Sequence, residues 1–258
     1  MARPRRPVAS TIPDEEIDRL VGLLREADSA ELKLGIPATD LRATATALEL
    51  DPLDAQIRHV FFFDTPDLAL DRHGLVVRAR RIQKRGDDTV VKLRPVVPSE
   101  LPDRVRRAPE FKIEVDAMPG KFVCSGSMSR ELPPTAVKEV VAGARPMRKL
   151  FSKAQRAFFD EHAPEGVGLG DLALLGPIFV LKLRSSPAGF SRKLVAELWL
   201  YPDGSHILEL STKCAPDEAF DVAGEARAFL AERGVSLAGD QATKTRAALD
   251  FFARQLAT

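Results

Sequence analysis

The chain has 258 residues, 45% of them hydrophobic and 29% charged, which is enough to build and solvate a sizeable core and excludes disorder and fibrous architectures. Thirty-eight Lys and Arg against 37 Asp and Glu leave a net charge of +1, which argues against a protein that coats nucleic acid. No apolar run approaches the roughly 18 residues of a membrane helix, and the opening MARPRRPVAS has no apolar stretch behind its arginines, unlike a secretory signal. The two cysteines, Cys124 and Cys214, sit in no CxxC or Cys/His cluster. They read as small buried thiols in a reduced compartment, the cytoplasm, with neither a disulfide framework nor a structural zinc site.

Residues 1–10 read as a disordered basic tail and 11–258 as a single domain with an N-terminal helical extension. The first helix has Ser10 or Thr11 as N-cap, Pro13 in its first turn, an acidic cluster at Asp14, Glu15 and Glu16, and Ile17, Leu20, Val21 and Leu24 on one face. Helical periodicity returns at 135–143, 148–162, 217–233 and 241–256, whereas the proline-punctuated 95–103 and 131–134 read as loops. Eight segments between them read as strands: 30–36, 57–64, 75–82, 89–95, 110–117, 178–184, 193–201 and 206–213. Tyr201-Pro202-Asp203-Gly204 joins the last two as a hairpin. Eight alternating strands predict an α+β protein built on an eight-stranded antiparallel barrel or a strongly curved sheet.

In these strands one parity is apolar and the other charged. Lys92 and Arg94 alternate with Val91 and Leu93, Lys182 and Arg184 with Leu181 and Leu183, and Glu209, Ser211 and Lys213 with Leu208 and Leu210. Side chains of a strand point alternately to opposite faces, so these charges share faces. A solvated outer face is the plain explanation of any one strand. The density of charge, with several amphipathic helices available to cover the apolar face, points instead to helices outside and a charged lumen. Lys33, Arg78, Arg80, Lys92, Arg94, Lys112, Lys182, Arg184 and Lys213 supply nine cations, and Glu31, Glu110, Glu114, Glu197 and Glu209 five carboxylates, a net of +4. Such a lining suits a small, highly charged anion, since the planar guanidinium pairs bidentately with phosphate oxygens. The carboxylates make sense as ligands for Mg²⁺ or Mn²⁺ bridging to phosphate.

The residues resemble the CYTH domain, or triphosphate tunnel metalloenzyme, family of class IV adenylate cyclases and triphosphatases. Ser29-Ala30-Glu31-Leu32-Lys33 resembles its E-x-E-x-K strand, Phe62-Phe63-Asp64-Thr65 its Phe-Asp-Thr strand, and Val77-Arg78-Ala79-Arg80 its L-R-x-R strand. Val90 to Arg94, Glu110 to Glu114, Lys182-Leu183-Arg184, Glu209-Leu210-Ser211 and Thr243-Lys244-Thr245 are similar to the segments that follow in order. Two positions depart from the pattern: Ser29 stands at the first glutamate, and Ser211 at the second carboxylate of the closing strand. Asp28 is offset by one residue and so points to the other face.

The resemblance implies a tunnel barrel and a divalent-metal-dependent triphosphatase acting on a triphosphate or short polyphosphate. Glu31, Glu197 and Glu209 are the expected metal ligands. Lys33, Glu114 and Glu197 are the expected catalytic groups, with Glu114 or Glu197 as general base. Arg78, Arg80, Lys92, Arg94, Lys112, Lys182, Arg184 and Lys213 are the expected phosphate ligands. Cyclisation of ATP is one alternative, and a non-catalytic polyphosphate-binding protein, motivated by Ser29 and Ser211, is another. The expected partner is a small anion, with no nucleic acid or membrane, and the chain is expected to be a monomer or homodimer. Phe61, Phe62 and Phe63 read as core, and none of the four histidines is assigned chemistry.

Overall fold

Alternation in the strands decides the architecture. The structure, a computed structural model, describes residues 13–236 and 244–256. Nine strands close into a barrel: β1 (Ser29–Ile36), β2 (Gln56–Asp64), β3 (Leu75–Ile82), β4 (Asp87–Leu93), β5 (Phe111–Met118), β6 (Lys121–Leu132), β7 (Ala173–Ser185), β8 (Leu194–Leu200) and β9 (His206–Cys214). Their order around the ring is β1-β5-β6-β4-β3-β2-β7-β8-β9. The expected eight antiparallel strands are therefore corrected to nine in a mixed sheet. A closed ring with an odd number of strands cannot alternate direction throughout, and the one parallel contact is β1 on β5, Ser29 opposite Glu114 and Glu31 opposite Asp116. The additional strand is β6, which returns from β5 through the turn at Pro119 and Gly120 and also pairs with β4.

One parity of the strands packs outward under helices. Phe61, Phe63, Val77, Ala79, Val91, Phe111, Ile113 and Val115 form one buried cluster with α1 (Asp14–Glu26) and α2 (Lys153–His162). Phe61, Phe62 and Phe63 are all at or below 2% exposure, core as expected; burial of each is worth about 1.5–3 kcal/mol. α1 begins with Pro13 in the N-cap position, not in the first turn, and without a side-chain cap; Ser10, Thr11 and the basic tail lie outside the described residues. Ser152 and Gln155 start α2 with a reciprocal capping box. On the other side of the barrel, Leu34, Ala196, Leu208 and Leu210 pack with Phe229 and Leu230 of the helix Ala219–Glu232. The hairpin between β8 and β9 forms as expected, with Gly204 at φ 84° and Ser205 N–H bonded to Asp203 at 2.9 Å.

The C-terminal helix Lys244–Leu256 departs from the expectation that all helices lie outside the barrel. Its Ala248, Leu249 and Phe252 pack with Val60, Phe62, Val76, Ile178, Val180 and Trp199, which have the inward parity of their strands. This helix thus fills one end of the lumen. Arg246 anchors it to Asp71 at 2.8 Å, and the Tyr201 hydroxyl donates to the Lys244 carbonyl at 3.0 Å. Cys124 and Cys214 are buried free thiols. Among the described residues no helix is long and apolar enough to cross a membrane.

Candidate functional site

The lumen is a cavity of about 800 Å³. All thirteen residues expected at the site line it, together with Arg58, Arg85, Asp87, Asp88, Asp116, Glu131 and Lys244, which the strand readings did not include among the site residues. The described lining carries twelve cationic and eight acidic side chains, a net of +4. Glu110 is corrected: it is exposed and precedes β5, after the turn in which Phe111 N–H bonds Ala108. The inward carboxylates of that strand are Glu114 and Asp116.

One group of charges forms where β1, β5 and β9 meet. Carboxylate oxygens of Glu31, Glu114 and Asp116 lie within 4.8 Å of one another. Lys33 bridges two of them, at 2.8 Å to Asp116 and 3.2 Å to Glu31. Lys92 reaches Asp116 at 3.3 Å, and Lys213 pairs with Glu114. Burial alone would raise the Asp116 carboxyl, but Lys92 and Lys33 outweigh it and hold it at about 2. Burial likewise opposes ionisation of Glu31, and Lys33 and Lys213 reverse the effect and lower it, helped by a hydrogen bond from Ser211. Ser29 donates to Glu114 at 3.3 Å. Ser29 and Ser211 thus serve the lumenal carboxylates as donors. Asp28 instead accepts the Ile113 N–H at 2.7 Å, on the strand backbone.

A second group lies against the C-terminal helix. Glu197 takes Lys182 on one oxygen at 2.7 Å and Lys244 on the other, and Trp199 Nε1 donates to it at 3.3 Å. Lys244 also reaches Glu209 at 2.7 Å. Burial would raise the Glu197 carboxyl, yet Lys244 and Lys182 drive it far below the usual carboxylate range. The structure therefore brings Glu31 together with Glu114 and Asp116, while the expected Glu197 and Glu209 lie in a separate group around Lys182 and Lys244.

The arginines divide into paired and unpaired. Arg80 holds Asp88 with two bonds, Nε at 2.8 Å and Nη2 at 2.6 Å. Arg58 is buried and spends Nε and Nη2 on the Gln56 side-chain oxygen. Among the described residues Arg78, Arg94, Lys112 and Arg184 make no side-chain hydrogen bond or ion pair, although all four line the cavity. Burial, then the neighbouring Arg80, pushes the Arg78 guanidinium down to about 10. It remains protonated at neutral pH, and the lowering reflects the cost of holding a cation out of water beside another cation. The Asp64-Thr65 segment of the Phe-Asp-Thr motif is structural: Asp64 accepts the N–H groups of Thr65, Leu70 and Asp71 at 2.7, 2.9 and 3.0 Å.

Asp116 shares the parity of Lys112 and Glu114, so the alternation already contained it. Arg58 shares that of Val60 and Phe62, and its isolation among apolar neighbours hid it. Lys244 lies on a helix, where strand alternation says nothing, though the resemblance pointed to its segment.

No protein-family model matches the sequence, and no curated protein matches it. Solved structures do. HpAC1 of Hippeastrum, described as an adenylyl cyclase candidate with a dominant triphosphatase activity, matches 86% of this chain over 95% of its own, with 19% identity and a TM-score of 0.61. A Bacillus halodurans protein described as an adenylate cyclase candidate matches 85% of this chain over 97% of its own, with 14% identity and a TM-score of 0.57. These likenesses establish the fold. The chain shares a closed β-barrel with these two proteins, and its lumen is charged.

Proposed function

We propose that the lumen binds a triphosphate or short polyphosphate and that the chain hydrolyses its phosphoanhydride bond with a divalent metal. The observation that carries this reading is the set of unpaired lumenal cations, Arg78, Arg94, Lys112 and Arg184, in a cavity of net positive charge. Arg78 and Arg94 are partly withdrawn from water, where an unpaired cation costs stability, while Lys112 and Arg184 are exposed, and an anion with many oxygens satisfies several of them at once. The oxygen donors of Glu31, Glu114 and Asp116 fit Mg²⁺ or Mn²⁺, both hard cations. When bound, such an ion would polarise a phosphoryl oxygen and neutralise developing charge.

The chain's own residues supply position and charge. Arg78, Arg94 and Arg184 hold phosphate oxygens, and Lys33 and Lys92, beside the acidic group, stabilise charge as the anhydride breaks. Of the two carboxylates expected as base, Glu197 is held by two ammonium groups, Lys182 and Lys244, and Glu114 by one, Lys213, so Glu114 is the freer of the two to orient water. Cyclisation of ATP is the weaker reading, because the one ring lining the described cavity, Trp199, is 3% exposed and lies against Lys244 at 5.1 Å.

A binding protein without turnover is favoured by one specific observation: every carboxylate of the acidic group is already met by an ammonium. Phosphate release from tripolyphosphate, ATP and thiamine triphosphate, with Mg²⁺, Mn²⁺ or EDTA, decides between them. Metal-dependent release from tripolyphosphate that Glu31→Gln abolishes supports hydrolysis. Saturable binding without release, unaffected by EDTA, supports the binder.

A further inference from the structure

The cavity does not end at its rim. At the end of the barrel opposite the C-terminal helix, the turn between β3 and β4 carries Arg85, Gly86 and Asp87, which with Ile82 line both the lumen and a second, open groove of about 640 Å³. The outer wall of that groove holds Arg81 and Lys84. Among the described residues Arg81, Lys84 and Arg85 make no side-chain hydrogen bond or ion pair. Three unpaired cations therefore continue the lumenal series across the rim onto the outside.

The turn that carries them is tied down. Gln83 accepts the Ile57 N–H on its side chain at 3.2 Å and returns its own N–H to the Ile57 carbonyl at 3.0 Å. Gly86 lies so close to β6 that a Cβ there would stand 2.4 Å from the Leu132 carbonyl oxygen. The spacing of the cations is thus held by backbone on both sides. Burial and then the adjacent Arg81 lower the His59 imidazole, which accords with a positive groove.

We infer that this groove is a second phosphate subsite, which holds the protruding tail of a polyphosphate whose end lies in the lumen. The inference rests on the reading of the lumen given above. With the C-terminal helix packed into the far end, a chain longer than the cavity leaves through this rim and meets Arg85, then Arg81 and Lys84. Charge complementarity selects a phosphate tail over a nucleoside, since a base would have to displace solvent among three cations.

The test is a binding titration of the full chain with tripolyphosphate and with a longer polyphosphate of defined length. The wild-type chain is expected to bind the longer ligand roughly tenfold more tightly, and the double variant Arg81→Ala/Lys84→Ala to lose that advantage while tripolyphosphate affinity stays within about twofold. Lys84→Gln, at an exposed position, is expected to show a partial loss and guards against misfolding in the double variant. Equal affinities for the two ligands, or an advantage that survives both variants, would overturn the groove while leaving the lumen reading intact. Tighter binding of ATP than of the longer polyphosphate would also overturn it. Failure of tripolyphosphate to bind at all would instead remove the lumen reading on which it rests.

Discussion

Arg78 and Arg80 stand two residues apart on the same face of β3, yet only Arg80 is paired, through its two bonds to Asp88. Arg78 carries the cost of burial without a partner, and it is the residue whose removal should separate binding from stability. Arg78→Ala is expected to weaken tripolyphosphate binding by about 10- to 100-fold while leaving thermal stability unchanged or slightly higher. Arg80→Ala should instead lower stability by about 1–3 kcal/mol, because Asp88 loses both donors. Paired calorimetry and thermal unfolding of the two variants check this.

Glu197 ties the C-terminal helix to the lumen. Replacing it with Gln leaves Lys182 and Lys244 facing each other across a neutral group, and a loss of about 3 kcal/mol is expected. Amide hydrogen exchange should show the loss concentrated in the helix Lys244–Leu256. Uniform loss of protection across the barrel would contradict the helix's local dependence on this contact.

Ser29 sits within hydrogen-bond reach of Glu114 at 3.3 Å, at the edge of the acidic group. Ser29→Glu adds a fourth hard-oxygen donor, so Mn²⁺ affinity measured by titration should rise by about tenfold or more. Asp116→Asn should lower it by at least as much. No response to either substitution would remove the assignment of the metal to this group.

Cys124 gives a pH prediction that rests mainly on burial in the outer core. Burial pushes its thiol up from 9.0 to about 11. Below pH 9 the thiol is protonated in both folded and unfolded chains and adds no pH dependence. As pH rises from 9 towards 11 the unfolded chain ionises first, so this group's contribution to stability falls there. Native alkylation at pH 8 should run roughly two decades slower than in denatured chain, and rapid native labelling would contradict the burial.

The lumen was legible because its charges keep one parity over long strands, and the helices because their periodicity is strong. Strand β6 was not, since Cys124, Ser125, Gly126 and Ser127 have the composition of a loop. Packing explains that composition: a Cβ at Gly126 would stand 2.5 Å from the Phe111 ring. The filled end was legible in a subtler form. The inward parity runs from Arg58 to Val60 and Phe62 on β2, from Arg80 and Arg78 to Val76 on β3, and from Lys182 to Val180 and Ile178 on β7. A switch from charged to apolar on an inward face marks where something apolar enters. Glu110 was misread because parity alone does not say where a strand begins, and the turn at Ala108 starts β5 one residue later.

The central claim is that the lumen is a polyanion site, and titration of tripolyphosphate into the wild-type chain and Arg78→Ala tests it most directly. One saturable site per chain, weakened strongly by rising salt and by the substitution, is the predicted result. No saturable binding in the presence or absence of Mg²⁺, or binding indifferent to Arg78, would contradict it.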